Sequence, residues 1–307
     1  MKKIIIKPYV LATAFTLILF ILTGYVLLDT FVIPRGEHIV ELPRIQVSDD
    51  ISKENEIVQA EPVITENDYQ DSNIQIHIET VRVEDTTIYA ADVQITDVQY
   101  LRTALANNTY GRNIRQTTSA MAEEHQAIFA VNGDYYGFRD TGLVIRNGVL
   151  YRSIPGVGFG ANAMVLQKDG TLSIVNEKNT DAFTLVDAGV TQGWSFGPVL
   201  IQDDIIMVDD SVEVDQAMTS NPRTAIGMVE PLHYIFVVSD GRTQESTGLS
   251  LQQLAQFMQQ KGCSVAYNLD GGGSSTMWFQ GRVVNNPTTT GKSSSERKIS
   301  DIIYLGN

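Results

Sequence analysis

The chain has 307 residues, enough for one large domain or two small ones, and a hydrophobic content of 43% that is ordinary for a packed globule and excludes disorder throughout. Its formal charge of −14 divides unevenly, +2 over residues 1–33, −7 over 34–72 and −9 over 73–307. Such a chain has no general attraction for nucleic acid, and an anionic ligand would need a local cluster of arginines to overcome the overall field.

Lys2, Lys3 and Lys7 precede an uncharged run from Tyr9 to Leu28. At 1.5 Å per residue, Val10 to Leu28 would span roughly 28 Å, close to the hydrocarbon thickness of a bilayer. The run is longer than the apolar part of a cleaved signal peptide, and Leu22-Thr23-Gly24-Tyr25 makes a poor cleavage site, so residues 1–33 read as a retained signal anchor. The lysines before the run and Asp29 after it predict a single-pass protein with a cytoplasmic N-terminus and an extracytoplasmic C-terminal domain.

Residues 34–72 carry ten carboxylates against three basic groups, with Pro34, Pro43 and Pro62 and no periodicity, and are expected to form an acidic flexible stalk. From residue 73 the pattern changes. Ile74, Ile76 and Ile78 alternate with polar residues, and a second strand is predicted over 88–95. A helix over 117–125 leads into an apolar strand over 127–131 that stops at Asn132-Gly133-Asp134-Tyr135-Tyr136. Asn147-Gly148 and Asp169-Gly170 are hairpin signals. Ser250 and Gln253 are spaced as a capping box at the start of a helix with Leu251, Leu254, Ala255 and Met258 on one face, and Gly262 is placed to end it. A strand over 264–269 then runs into Asp270-Gly271-Gly272-Gly273-Ser274-Ser275, and strands follow at 276–279 and 299–305. The expected fold class is α+β, a mixed, largely antiparallel sheet with packed helices, forming one domain over residues 73–307 behind the transmembrane helix.

Cys263 is a single cysteine in an apolar stretch with no histidine nearby to activate it, and reads as inert packing. His38, His77, His125 and His233 lack metal-ligand spacing, so no zinc site is expected; no cofactor is implied, and a metal requirement stays open. Three consecutive glycines after Asp270 leave backbone N–H groups accessible and could form an anion-binding nest or simply connect two strands. No lysine follows them and no helix opens there, which excludes a nucleotide P-loop. Ser239-Asp240-Gly241-Arg242 and Asn221-Pro222-Arg223-Thr224 adjoin strongly apolar strands, where functional loops collect, although an Asp-Gly pair is also a common turn and a lone arginine a common surface partner. Asn132, Asp134, Tyr135 and Tyr136 combine an amide, a carboxylate and two aromatic faces, groups suited to a sugar; one of the two tyrosines is expected to fill the core instead.

Taken in order, Asn132-Gly133-Asp134-Tyr135-Tyr136, Asn221-Pro222-Arg223-Thr224-Ala225, Asp240-Gly241-Arg242 and Asn268-Leu269-Asp270-Gly271-Gly272-Gly273-Ser274-Ser275 resemble the phosphodiester glycosidase family over roughly residues 75–306. The resemblance implies hydrolysis of the bond between a sugar's anomeric carbon and a phosphodiester oxygen. A phosphate is a good leaving group, so less protonation is required than for a sugar alcohol. On that footing Arg223 and Arg242, with the N–H groups of Gly272 and Gly273, are expected to hold the phosphate; Asp270 is the first choice for general base or nucleophile, Asp240 the second carboxylate, and Asp134 a sugar contact. Asn132, Tyr136, Asn268, Ser274 and Ser275 complete the candidate substrate contacts. The expected partner is a glycosyl-phosphodiester or polysaccharide of an envelope or exported polymer. The alternatives are a phosphodiesterase that cleaves P–O and a non-catalytic polysaccharide-binding module.

Overall fold

The computed structural model describes residues 8–39, 61–209, 211–212 and 220–306. The lysines at 2, 3 and 7 and residues 40–60 of the acidic segment lie outside them. Helix α1, Pro8–Phe31, is long and apolar enough to cross a membrane, with a mean hydropathy of 2.3 and no burial against the rest of the chain. The last turn of the helix and the residues that follow attach to the globule. Asn113 Nδ2 donates to the Thr30 and Ile33 carbonyl oxygens, and the strand Arg35–Ile39 pairs with Thr109–Arg112.

A nine-stranded sheet forms the centre. It reaches back into the acidic segment, because Val63–Ile64 and Asp68–Gln70 extend it from the edge of Ile74–Val83, where Ile74, Ile76 and Ile78 are buried and their neighbours exposed. Two five-stranded sheets complete the globule, and every strand pairing among the described residues is antiparallel. Fold class α+β with largely antiparallel sheets is therefore what the chain adopts.

The main core lies between the sheets. Ile226, Phe236 and Tyr267 of the large sheet meet Phe129, Val131, Met277 and Ile303 of the sheet that contains the closing strand Asp301–Leu305. The outer face of the large sheet is covered by the helix Leu251–Gln260, through Leu251, Leu254, Ala255 and Met258; the capping box of Ser250 and Gln253 starts this helix. Gly262, at φ +84°, takes the left-handed conformation that ends it. Cys263 packs in this layer against Gly227, where even a Cβ would meet its sulfur at 2.7 Å, and burial pushes its thiol up to about 12. It is inert packing. Helix α2, Thr118–Glu124, capped by Thr117, covers the outer face of the second sheet.

Candidate active site

Antiparallel pairing places the four loop motifs at one end of the sheets. Arg223 starts its strand opposite Ser239, which ends the next, while Ala225 faces Asn268 at the end of Val265–Asn268. In the second sheet, Ile302 at the start of the closing strand faces Asn132 at the end of Phe129–Asn132. Loops separated by 138 residues thus meet: Asn132 Nδ2 donates to the Asp270 carbonyl oxygen at 2.7 Å, and its Oδ1 accepts from Thr224 Oγ1 at 2.8 Å and from the Thr276 amide at 3.2 Å.

Next to this junction is a cleft of about 210 Å³ lined by Asp134, Tyr135, Phe138, Asp270, Ser274 and, on the cationic side, Arg115, Arg297 and Lys298. Asp270 is its central carboxylate. Its Oδ2 accepts from Arg297 Nη2 at 2.9 Å and from the Ser274 hydroxyl, and Arg297 Nε reaches the same hydroxyl at 2.9 Å. Burial pushes the Asp270 carboxyl up, while the Arg297 charge, the two hydrogen bonds and the more distant charge of Arg139 pull it back. Arg242 stands on the other side of the glycine loop, over Gly272. A Cβ on Gly272 would meet its Nη2 at 2.7 Å, and the residue has φ +61°. The Arg242 guanidinium titrates below its ordinary value, chiefly through burial and then through repulsion by Arg297. Two arginines flanking one carboxylate leave a surplus of positive charge at the cleft.

The structure distributes the remaining sequence candidates differently. Asp240 does not line this cleft. Its Oδ1 accepts from the Asn286 amide at 2.8 Å and its Oδ2 from Tyr89 at 3.3 Å, so it pins the 285–286 turn, and burial pushes its carboxyl up. Arg223 is 3% exposed and lies behind the glycine loop, with its amide on Ser239 Oγ and its Nε on the Leu249 carbonyl oxygen. Arg242 is braced by Asn221 Oδ1 and the Thr289 carbonyl oxygen. Asn132 is fully buried and positions Asp270 rather than facing the cleft. Asn268 Nδ2 donates to the Gly197 carbonyl oxygen, and Ser275 is fully buried. The Gly272 amide donates to the Pro222 carbonyl oxygen at 2.8 Å, and a Cβ on Gly273 would meet Thr289 Oγ1 at 2.5 Å. The glycines let the loop pass between Pro222 and Thr289. Of the two tyrosines, Tyr136 fills the core, 2% exposed and stacked on Tyr110 at 5.2 Å, whereas Tyr135 lines the cleft and stacks on Phe138 at 4.7 Å. The 3₁₀ turn Tyr136–Phe138 turns the second ring inward.

Asp134 reaches the cleft wall, but its side chain is engaged below it. Its Oδ1 accepts from the Tyr136 amide at 3.0 Å, and its Oδ2 lies 3.0 Å from Arg146 Nη2. Arg146 also donates from Nε to Asp301 Oδ2 at 2.9 Å. All three side chains are almost fully buried. One guanidinium cannot balance two carboxylates at once; burial, reinforced by the nearby Asp134 and opposed by Arg146, pushes the Asp301 carboxyl up, to about 8. Sequence reasoning did not single out Arg146, Asp301, Arg115, Arg139, Arg297, Lys298 or Phe138. Arg146 ends an apolar strand and Asp301 begins one, and a charge so placed has to be paired. Among the described residues, no group of histidine, cysteine and carboxylate side chains is arranged to hold a metal ion.

Comparison with known proteins gives the family and the fold. A SPbeta prophage-derived uncharacterized protein of Bacillus subtilis is 30% identical over 182 residues, 58% of this chain and 28% of that protein. The mouse N-acetylglucosamine-1-phosphodiester alpha-N-acetylglucosaminidase is 39% identical over 66 residues, 22% of this chain and 13% of that enzyme. The chain thus matches less than a third of the length of either relative. Among solved structures, the catalytic domain of zebrafish N-acetylglucosamine-1-phosphodiester alpha-N-acetylglucosaminidase, auto-inhibited by its pro-peptide, superposes with a TM-score of 0.60 at 20% identity, covering 76% of this chain and 83% of that one. A hypothetical protein from Synechocystis superposes with a TM-score of 0.57 at 14% identity, covering 76% and 62%. These superpositions share the fold. Residues 125–306, more than half of the chain, match the model of the phosphodiester glycosidases, and the protein belongs to that family.

Proposed function

We propose that the protein hydrolyses the glycosidic bond of a sugar-1-phosphodiester in an envelope or exported polysaccharide, with Asp270 as general base or nucleophile. The observation that carries this reading is the Asp270 carboxylate held between Arg297 and Ser274 in a cleft whose other charges include Arg115 and Lys298. A sugar on Tyr135 and Phe138 would present its anomeric carbon to Asp270, while its phosphate lies against the cations. In this reading Arg297, Arg115 and Lys298 hold the phosphate, Arg242 adds charge from behind the glycine loop, and Asn132, Arg223 and Asp240 position the loops that carry Asp270.

The C1–O bond breaks with its electron pair on the phosphate oxygen, where the cations stabilise it. Water attacks C1 and gives its proton to Asp270; alternatively Asp270 attacks C1 first, and water then hydrolyses the glycosyl–Asp270 ester, giving its proton to the released phosphate monoester and freeing Asp270 as a carboxylate. Before substrate arrives, Arg297 lowers the basicity of Asp270. A bound phosphate shares that guanidinium, and the carboxylate becomes a stronger base when it is needed.

Helix α1 would hold the domain on the extracytoplasmic face, with the N-terminus in the cytoplasm, where envelope polymers are within reach. The full chain in detergent micelles, incubated with methyl N-acetyl-α-glucosaminyl phosphate and followed by phosphorus NMR, tests the reading. Methyl phosphate and free N-acetylglucosamine are expected. Release of N-acetylglucosamine 1-phosphate would show P–O cleavage instead, and an unchanged spectrum across several sugars would favour a binding module.

A further inference from the structure

A second cleft, of about 380 Å³, lies beside the first, and Tyr110, Arg112, Tyr136, Arg139, Tyr151 and Arg152 are among the residues that line it. The two share a wall. Along the turn from Tyr135 to Arg139, Tyr135 and Phe138 face the first cleft, and Tyr136 and Arg139 the second. The Arg139 guanidinium lies 4.5 Å from the centroid of the Phe196 ring and 5.7 Å from that of Tyr135, and its charge is felt at Asp270.

The second cleft sets three arginines against two carboxylates, Glu37 and Asp140, and so keeps a net positive charge. Arg112 is paired with Asp140 at 2.8 Å. Arg152 is held instead by carbonyl oxygens of Gly142, Tyr136 and Arg139, which fix its guanidinium without neutralising it. Arg139 lies on aromatic faces and has no carboxylate partner among the described residues. Together the two clefts are lined by six basic side chains and four acidic ones, Asp134 and Asp270 in the first and Glu37 and Asp140 in the second. Beside these arginines is a column of three stacked tyrosines, Tyr136, Tyr110 and Tyr151, with centroids 5.2 and 4.8 Å apart. Tyr110 and Tyr136 are buried, so Tyr151 is the ring the column offers to the cleft.

We infer that the two clefts form one groove for a polymer of sugars joined by phosphodiesters, the second cleft holding the sugar and phosphate of the repeat next to the one being cleaved. This rests on the glycosidase reading of the first cleft. In a repeating polymer, the group in the neighbouring position is chemically the same as the group being cleaved. Two adjacent positive clefts, each with an aromatic face, match that repetition, whereas a substrate with a single phosphate leaves the charge of Arg152 and the open face of Tyr151 unused.

The test measures binding to the full chain in detergent micelles, carrying Asp270→Asn so that no probe is consumed. The probes are N-acetylglucosamine oligomers joined by α-1,6-phosphodiesters, a dimer with one phosphodiester and a trimer with two, and the uncharged β-1,4-linked trimer of the same sugar. One added charge-assisted contact corresponds to about tenfold in affinity. The charged trimer should therefore bind at least about tenfold more tightly than the dimer, and that advantage should be lost in Arg152→Gln. Because Arg152 also braces its loop, Tyr151→Ala is measured alongside and should reduce the advantage severalfold. No preference for the charged trimer, an equal gain from the uncharged trimer, or a full advantage in both folded variants would overturn the inference. Turnover of the dimer by the unsubstituted chain is scored separately. Cleavage without a length advantage overturns the groove and leaves the glycosidase reading; a length advantage without cleavage sustains the groove and overturns that reading.

Discussion

Replacing Asp270 with asparagine separates the chemistry of the site from its architecture. The amide is close to isosteric, so its oxygen can still accept from Ser274 and Arg297. The Asp270 side chain is 13% exposed and that of Arg297 39%, so the lost ion pair is partly screened by solvent and opposed by the desolvation of the carboxylate. A change in stability of about 1 kcal/mol or less, of either sign, follows. The change in rate should be much larger. A missing general base removes about 10²- to 10⁴-fold. Thermal unfolding of the variant, paired with phosphorus NMR or a reducing-sugar assay, measures both quantities on one preparation. A folded variant within about threefold of the parent rate would refute the assignment.

The pH profile of the parent gives a second check. A base acts in its ionised form, so kcat/KM should fall as pH drops through the Asp270 value, which burial places above the ordinary carboxylate range of about 4. Phosphate bound to Arg297 should raise the limb further in kcat than in kcat/KM. Coincident limbs near pH 4 would argue that the carboxylate is not the titrating base.

Arg146→Met should destabilise the fold by about 3–5 kcal/mol, because it strands Asp134 and Asp301 in the interior; urea unfolding should show most of the loss recovered when both carboxylates become asparagine in the same chain. Asp301 has a folded-state value of about 8 against about 4 in an unfolded chain, so its protonation stabilises the native state at low pH and that contribution is lost as pH rises through the window between them. Asp301→Asn should therefore gain stability relative to the parent as pH rises from about 4 to 8, by at least about 1.4 kcal/mol, read from urea midpoints at several pH values. Gly273→Ala should cost about 1–3 kcal/mol, because its Cβ would meet both Oγ1 and Cα of Thr289, whereas Gly281→Ala, strained only by φ +85° with nothing within 4 Å, should cost about 1 kcal/mol.

Much of the fold was legible because its signals are local. Alternation at Ile74, Ile76 and Ile78, the Asn147-Gly148 turn and the Ser250–Gln253 capping box each depend on residues a few positions apart, and each appears where expected. The extension of the large sheet through Val63–Ile64 and Asp68–Gln70 was harder to see. Two short strands within an acidic stretch show no period, and what orders them is pairing with Ile74–Val83, which composition does not record.

The site shows where such reading stops. Asp270 and its loop could be recognised because a carboxylate and three glycines at a strand end are contiguous. What surrounds Asp270 is assembled from the distance. Arg297 comes from the approach to the closing strand, Arg115 from the segment before α2, and Asn132 from another sheet. Sequence reasoning therefore assigned the phosphate to the arginines nearest the recognised motifs, Arg223 and Arg242, and the packing sorts arginines differently. Arg223 is enclosed between two strands of the large sheet and the Leu249 carbonyl, a position that supports the glycine loop from behind. Arg297 has no apolar strand around it and stays partly exposed in the cleft, where a ligand can reach its guanidinium. Arg223, at the start of a strand, is enclosed by its neighbours, whereas Arg297, on a loop beside the cleft, remains available to an anion. Asp240 and Asp270 are almost equally buried, 7% and 9% exposed, and what separates them is placement: Asp240 is bonded to the 285–286 turn, whereas Asp270 lines the cleft beside Arg297.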